Sequence, residues 1–572
     1  MTKQLLVLSC SQNKRDEPGL LPAIHRYDGS PYRVLRHYLR ECEWPSSLSV
    51  AVLSAKYGLV GGFTGIEDYD QRMTPLRASA LSPQCSATLL NWASNHDSIH
   101  LSLGKDYLPA VTPAIDNGIK GKAKVFEGPI GMKLAQIKEL LEETGSPTRH
   151  RPKLPQPGSG SVTYFLPDWD DLLDEHFDFE SDTFSGFSRE ERNDKHCCVL
   201  MKPKRMCDGV MVSLAQHVTS KGPLRRIIGT EASSLAPRNL RRLFGLNRDQ
   251  ALFGDCGAFS YVNEDTPAIS VEQAVALYEL HGFDFGASVD HIPVSNIVRD
   301  GKRVELSATE RRARVRKTRT NAQRFIELAK KRHVNFMPVG TIQGLDARAY
   351  ANAVRLYYEF GYRHLAIGGL VPLPDPMVES IVNEIMTVVK SLSHRPWIHL
   401  FGIFRPKLQA KFRQLRVDSF DSATYFRKAW LRSDQNFLAP NGKWYAAVRV
   451  PMTSDPRTRK RLSMSGLDLA TLEIQEAKVL KLLCQYGKHA VDIQEVLDAV
   501  IDYDQKLTRT SEAKSMRAKY KATLIDRPWE SCDCTFCART GIHVLIFRGS
   551  NRNKRRGAHN TLMLYGSLGS KS

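Results

Sequence analysis

The stretch NFMPVGTIQGLDARAYANAVRLYYEFGYRHLAIGGL (335–370) decides the fold. It opens with a short apolar run that ends at Gln343-Gly344. A helical pattern over 349–361 follows, its apolar residues three and four apart, with Gly361 as a stop. A second apolar run, HLAIGGL (364–370), ends on two glycines. Strand, helix and strand in this order read as one βαβ unit, the building block of a parallel sheet.

The alternation extends both ways. Apolar runs at 209–215, 251–255, 283–290 and 397–404 are strand candidates, and 271–282 and 310–331 have helical periodicity. Continued over 162 to about 505, this predicts an α/β fold, a (β/α)8 TIM-like barrel, with its chemistry at the carboxyl ends of the strands. Residues 1–144 read as a separate small α/β domain. Its strand candidates 5–9 and 49–60 end in Ser9-Cys10-Ser11-x-x-Lys14 and Ser54-Ala55-Lys56-Tyr57-Gly58. Those residues suit a phosphate or nucleobase pocket and equally suit ordinary turns. A Pro/Gly/Ser-rich stretch, 145–161, reads as a linker, and 506–572 as a cysteine-bearing, basic C-terminal segment.

Composition narrows the partner. The chain has 572 residues, 42% hydrophobic and 25% charged, enough apolar material for a large core. Lys and Arg number 81 against 61 Asp and Glu, a net +20. Residues 1–150 hold 17 basic and 15 acidic residues, so nearly all the excess lies beyond them. That distribution points to a polyanion, nucleic acid foremost. Twelve Lys/Arg stand against three acids in 302–332, on a docking face or a plain solvated helix. The tail Arg548, Arg552, Lys554, Arg555 and Arg556 is the stronger candidate for binding phosphates. No apolar run is long enough to span a bilayer, so no membrane partner is expected. Eleven sparse cysteines suit a reducing cytoplasm rather than a disulfide scaffold.

Only three cysteines are tightly spaced. Cys532-x-Cys534-x2-Cys537, followed by His559, supplies three thiolates and an imidazole, a closed tetrahedral set for structural Zn2+. His543 is a rival fourth ligand. Polar residues also mark strand ends: Asp255 in GDCGAF (254–259), Asp290 in VDHIP (289–293), Gln343 in TIQGL (341–345), and Asp418 and Asp421 in VDSFDSATY (417–425). Singly, each is as readily a turn or cap residue.

Taken in order, these segments resemble the tRNA-guanine transglycosylase superfamily over about 162–565. The matching segments are Asp255-Cys256-Gly257-Ala258-Phe259, Asp290, Ile342-Gln343-Gly344, Ile367-Gly368-Gly369-Leu370, Leu400-Phe401-Gly402, Phe420-Asp421 and the cysteine set ending in His559-Asn560. Ser260 stands where the tRNA enzymes carry Gln. That difference, the basic C-terminal stretch and YFLPDWDDLLDEHFDF (164–179) look more like the DNA-guanine transglycosylases of 7-deazaguanine modification systems.

The resemblance implies a pentosyltransferase that exchanges guanine in double-stranded DNA for 7-cyano-7-deazaguanine. Asp421 would be the nucleophile and Asp255 the general acid/base. Asp290, Gln343, Gly344, Gly368, Gly369 and Leu370 would read the base, with Phe259, Phe401 and Gly402 shaping its slot. Other proteins of a DNA-modification system are implied partners. The alternatives are a tRNA transglycosylase of queuosine or archaeosine type, a non-catalytic nucleic-acid-binding subunit of the same fold, and a glycosylase that stops at base removal.

Overall fold

The computed structural model describes residues 2–569 except 18, 146–147, 150, 169–170, 188, 220–233, 238, 432, 457–458, 460–467 and 508–509. Trp169 and Asp170 of the acidic 164–179 motif therefore lie outside the described residues. Contacts divide the chain into two compact units. The first is Met1–Ser161, Met211–Leu240 and Ala251–Ser419; the second is Val162–Val210, Arg241–Gln250 and Phe420–Ser572.

The N-terminal residues form a five-stranded sheet in the order Gly58–Gly61, Leu48–Ser54, Gln4–Ser9, Ser98–Ser102, Ala123–Val125. All neighbours are parallel except the Gly58–Gly61 hairpin strand. Leu5 to Leu8 and Val50 to Leu53 are fully buried, as a parallel sheet covered on both faces demands. Cys10 and Ser54 thus follow or end adjacent strands. Cys10 Sγ lies 3.0 Å from the Tyr107 hydroxyl, and Ser54 Oγ 2.8 Å from that of Tyr69.

Eight strands close the predicted barrel: Gly209–Ser213, Ala251–Asp255, Phe285–Ala287, Met337–Ile342, His364–Ile367, Trp397–Leu400, Ser419–Asp421 and Thr163–Pro167. The alternating pattern explains both surfaces of its strands. Aromatic rings fill the lumen: Phe285 stacks on Trp397 at 5.7 Å, Trp397 on His399 at 5.8 Å, and Phe253 lies 5.1 Å from His399. Glycines take the opposite face at Gly254, Gly286 and Gly340. A Cβ there would meet the Tyr278 ring at 2.1 Å and 2.5 Å, and Tyr357 at 2.7 Å. Missing side chains at these three sites let helix tyrosines lie directly on the sheet.

The helices expected at 271–282 and 310–331 run over Val271–Leu280 and Ala308–Arg332. Both start with a capping box, Ser270 with Gln273 and Ser307 with Glu310, which satisfies the first free N–H groups. Residues of the 145–161 stretch, expected as a linker, are anchored in the first unit. Arg149 donates to the Phe283 carbonyl at 2.6 Å and Gly158 N–H to Asp418 at 2.5 Å. No helix among the described residues is long and apolar enough to cross a membrane.

Candidate active site

Asp255, Asp290, Gln343 and Asp421 lie at or just beyond the carboxyl ends of barrel strands, whereas Asp418 precedes its strand. Asp255 ends its strand, and its Oδ2 accepts the Gly257 N–H at 3.1 Å. Gly257 has φ 84°, a conformation that glycine adopts without strain, so the chain turns sharply there. Phe259 lies in the following turn with 57% of its surface exposed.

Asp290 is 3% exposed and has no ion-pair partner among the described residues. Its Oδ1 accepts from the Cys256 thiol at 2.8 Å and its Oδ2 from the Gln343 amide at 2.6 Å. Tyr261 closes the group, its hydroxyl donating to the Asp290 carbonyl at 2.8 Å. Burial pushes the Asp290 carboxyl above the usual carboxylate range, against the two hydrogen bonds that favour the anion. Burial, then the Asp290 and Asp255 charges, raise the Cys256 thiol well above its ordinary value, so it stays a donor. Sequence reading passed over Cys256, because a lone cysteine beside a motif carries no periodic signal.

Gln343 presses against two glycines. A Cβ on Gly368 would lie 2.2 Å from Gln343 Nε2, and one on Gly369 2.5 Å from Oε1. Gly369 also has φ 75°. Tyr350 fixes this turn by donating to the Gly368 carbonyl at 2.8 Å, and a Cβ on Gly344 would strike its ring. Gln343 Oε1 is buried with no hydrogen-bond partner among the described residues. A buried carbonyl oxygen without a donor is costly, so this atom is poised to accept one from a ligand. Leu370 is fully buried. Phe401 packs on His399 at 4.8 Å, and Gly402 turns with φ 69°.

The two acids of 417–425 differ. Asp418 is structural: it accepts from Gly158 N–H, from Ile398 N–H at 2.8 Å and from Arg395 at 3.0 Å. Asp421, 6% exposed, ends the Ser419–Asp421 strand. Its neighbours are pinned, with the Phe420 ring 5.3 Å from Tyr164 and the Tyr164 hydroxyl donating to the Ser422 carbonyl at 2.8 Å.

Cys532, Cys534, Cys537 and His559 are all buried and converge. Each sulfur lies 3.5 Å from His559 Nδ1. Tetrahedral bonds of about 2.3 Å to sulfur and 2.0–2.1 Å to nitrogen imply a separation of about 3.5 Å, so the four atoms fit one metal ion. His559 Nε2 meets the Leu438 carbonyl at 2.7 Å and the ring stacks on Phe437 at 4.0 Å, fixing Nδ1 as the ligand atom. His543 stands apart, 3.7 Å from Cys484.

The basic tail corrects a sequence expectation. Arg548, Arg552, Lys554, Arg555 and Arg556 are all 6% exposed or less, out of reach of a nucleic-acid backbone. Most lie in the Gly549–Gly569 helix and tie interior elements of the second unit together. Arg548 and Arg552 share Asp182. Lys554 donates to the Leu172 carbonyl at 2.8 Å and Arg555 to that of Asp174 at 2.7 Å. Arg556 donates to the carbonyls of Val544, Ile546 and Ala429 at 2.9, 3.1 and 2.6 Å. Burial lowers Arg556 to about 9. By contrast, Arg312, Arg316 and Arg319 on the Ala308–Arg332 helix are exposed at helical spacing.

Comparison with known proteins agrees with the barrel and its strand ends. Residues 218–480 match the family model described as queuine tRNA-ribosyltransferase. The chain is 33% identical over 411 residues to a DNA-guanine transglycosylase of Salmonella montevideo, covering 71% of this chain and 96% of that one. It is 25% identical over 209 residues to a tRNA-guanine(15) transglycosylase of Methanococcus aeolicus, covering 36% and 30%. A Haloarcula marismortui protein of the same description is 22% identical over 305 residues, covering 49% and 59%. Fold and site define a pentosyltransferase acting on guanine. The chain belongs to the tRNA-guanine transglycosylase superfamily, in its DNA-guanine branch.

Replacing Arg556 tests the burial directly. Arg556→Gln strands three carbonyls and should cost about 3 kcal/mol, read as a lower melting temperature. An unchanged melting temperature would refute the interior role.

Proposed function

We propose that the protein exchanges guanine in double-stranded DNA for 7-cyano-7-deazaguanine through a covalent aspartyl–deoxyribose intermediate. The unpartnered, buried Gln343 Oε1 carries this reading. Beside the Gly368-Gly369 turn it offers an acceptor to a flat ligand carrying N–H groups, as guanine and its 7-deaza analogue do. The Asp290 carboxylate behind it sets the amide orientation.

In the first step an Asp421 oxygen attacks C1′ and the C1′–N9 bond breaks. Guanine leaves with the bonding electrons and takes a proton from Asp255. In the second step N9 of the incoming base attacks C1′, gives its proton to Asp255 and releases Asp421. The C1′–O ester retains the energy of the glycosidic bond it replaces, so no nucleoside triphosphate is required, and one hard substitution becomes two easier ones. A paired guanine must leave the stack first, at a cost of about a few kcal/mol. Phosphate contacts from exposed Arg312, Arg316 and Arg319 offset part of it.

The four-residue cluster holds structural Zn2+, because four protein ligands leave no open position for chemistry. The metal would close the 532–537 loop against the helix that carries His559.

Radiolabelled 7-cyano-7-deazaguanine should enter duplex DNA and not tRNA; label in tRNA alone would overturn the substrate assignment. With Asp421→Asn, incorporation should fall by roughly 10^4-fold or more, with loss of the denaturation-resistant DNA adduct.

Elemental analysis should find about one zinc per chain. Cys534→Ser should lose it and His543→Ala keep it; zinc retained in the first would refute the site.

Replacing Arg312, Arg316 and Arg319 by Gln should lower the slope of log affinity for DNA against log salt by about 2.7. An unchanged slope would remove this helix from the interface.

A further inference from the structure

A pocket of about 470 Å3 opens within the first unit, between the N-terminal domain and the end of the Ala308–Arg332 helix. Cations crowd its wall: Lys14, Arg15, Arg36 and Arg40 from one side, Lys331 and Arg332 from the other. Three carboxylates line it, Asp16, Glu17 and Asp28, and buried Glu279, 4.0 Å from Arg40, also faces Arg15, Arg36 and Arg332. Glu17 pairs with Arg332, while Asp28 takes both Arg36 and Arg33. Lys14, Arg15 and Lys331 have no ion-pair partner among the described residues.

Two observations point to a missing anion. Arg332 is 6% exposed, yet its Nη1 has no hydrogen-bond partner among the described residues. Arg15 turns its guanidinium towards His25 Nδ1, 3.5 Å away. Burial and the neighbouring Arg332 and Arg36 lower Arg15 to about 10, while burial keeps His25 neutral. The carboxyl end of the helix is partly negative, which Lys331 and Arg332 offset. Arg36 is answered by Asp28 and by the Ile24 and Tyr27 carbonyls, and Arg15 only at longer range by Glu279 and Glu17, so Arg15, Lys331 and the free Arg332 Nη1 are the cations left to meet a ligand.

We infer that this pocket binds a phosphate-bearing anion, gripped by Arg15, Lys331 and Arg332. Guanidinium forks match phosphate oxygens, and the volume lies within the range of about 300–1,000 Å3 typical of small-ligand sites. The site is distinct from that of the base. Lys331 and Arg332 precede the Met337–Ile342 strand, whereas Gln343 follows it, so a strand length of roughly 20 Å separates them. The phosphoryl group can come from a free nucleotide-sized ligand or from a nucleic-acid backbone.

Calorimetry on the full chain, with pyrophosphate at fixed ionic strength, tests this. Saturable binding should weaken about tenfold or more in Arg15→Gln and in Lys331→Gln, with guanine exchange unchanged. Lys331 is exposed, so its variant should fold even if the other does not. A 20-base-pair duplex that displaces pyrophosphate identifies the backbone as the source; one that leaves it bound identifies a free ligand. Absence of saturable pyrophosphate binding, or equal affinity in wild type and Lys331→Gln, would overturn the inference.

Discussion

Asp290 is a buried carboxylate with no ion-pair partner among the described residues, and the strand ends around it are arranged to that fact. An anion in such a place must be held by neutral donors, and here a thiol, an amide and its own backbone supply them. The cost falls on neighbouring positions. Cys256 must stay protonated. Gln343 must spend its amide on the carboxylate, which turns its oxygen away with nothing to accept. Residues 368 and 369 must be glycine, because the amide occupies the space of their Cβ atoms. The carboxylate therefore acts on a ligand chiefly through Gln343, whose orientation it fixes.

The same electrostatic economy shows in the basic residues. A net charge of +20 suggests a cationic surface, yet five of the most conspicuous cations lie inside the second unit. A guanidinium has five donors in a rigid fork and can satisfy several carbonyls at once. Arg556 does this for three. The Ala308–Arg332 helix, by contrast, exposes Arg312, Arg316 and Arg319. Its buried Arg314 serves a similar interior role, donating to the Val262 and Ile292 carbonyls at 2.7 and 3.1 Å.

This contrast shows what the sequence made legible. Strand–helix alternation located the barrel, because burial on two faces writes a period into the chain. The ordered strand-end motifs pointed to residues that the fold brings together, Asp290, Gln343, Gly368 and Gly369, because glycine and polar residues at such ends have few other uses in combination. Burial of the arginine run was not legible: a basic stretch has the same composition whether it caps carbonyls or meets phosphates. Composition and spacing alone did not separate Asp418 from Asp421, three residues apart; only the family resemblance at Phe420-Asp421 did. Asp418 is bound by residues distant in sequence, Gly158 and Arg395, which no local pattern reveals. The pocket at Arg15 and Arg332 joins segments about 300 residues apart and leaves no motif at all.

The arginines and the metal cluster are one structural problem. Arg552, Arg555 and Arg556 precede His559 by seven, four and three residues, so all lie near one stripe of the Gly549–Gly569 helix. That stripe is buried despite its charge, which a helix of this composition would not choose alone. Carbonyls of 172–179 and 544–546, Asp182 and the cysteine sulfurs supply the partners. Asn560 extends the set, donating to the Asn436 carbonyl at 2.7 Å and accepting the Leu438 N–H at 2.9 Å. A metal ion at the Cys532, Cys534, Cys537 and His559 group would hold the helix in the register that delivers each guanidinium to its carbonyl. The high charge density of the tail is then what allows a buried polar helix to replace an apolar one.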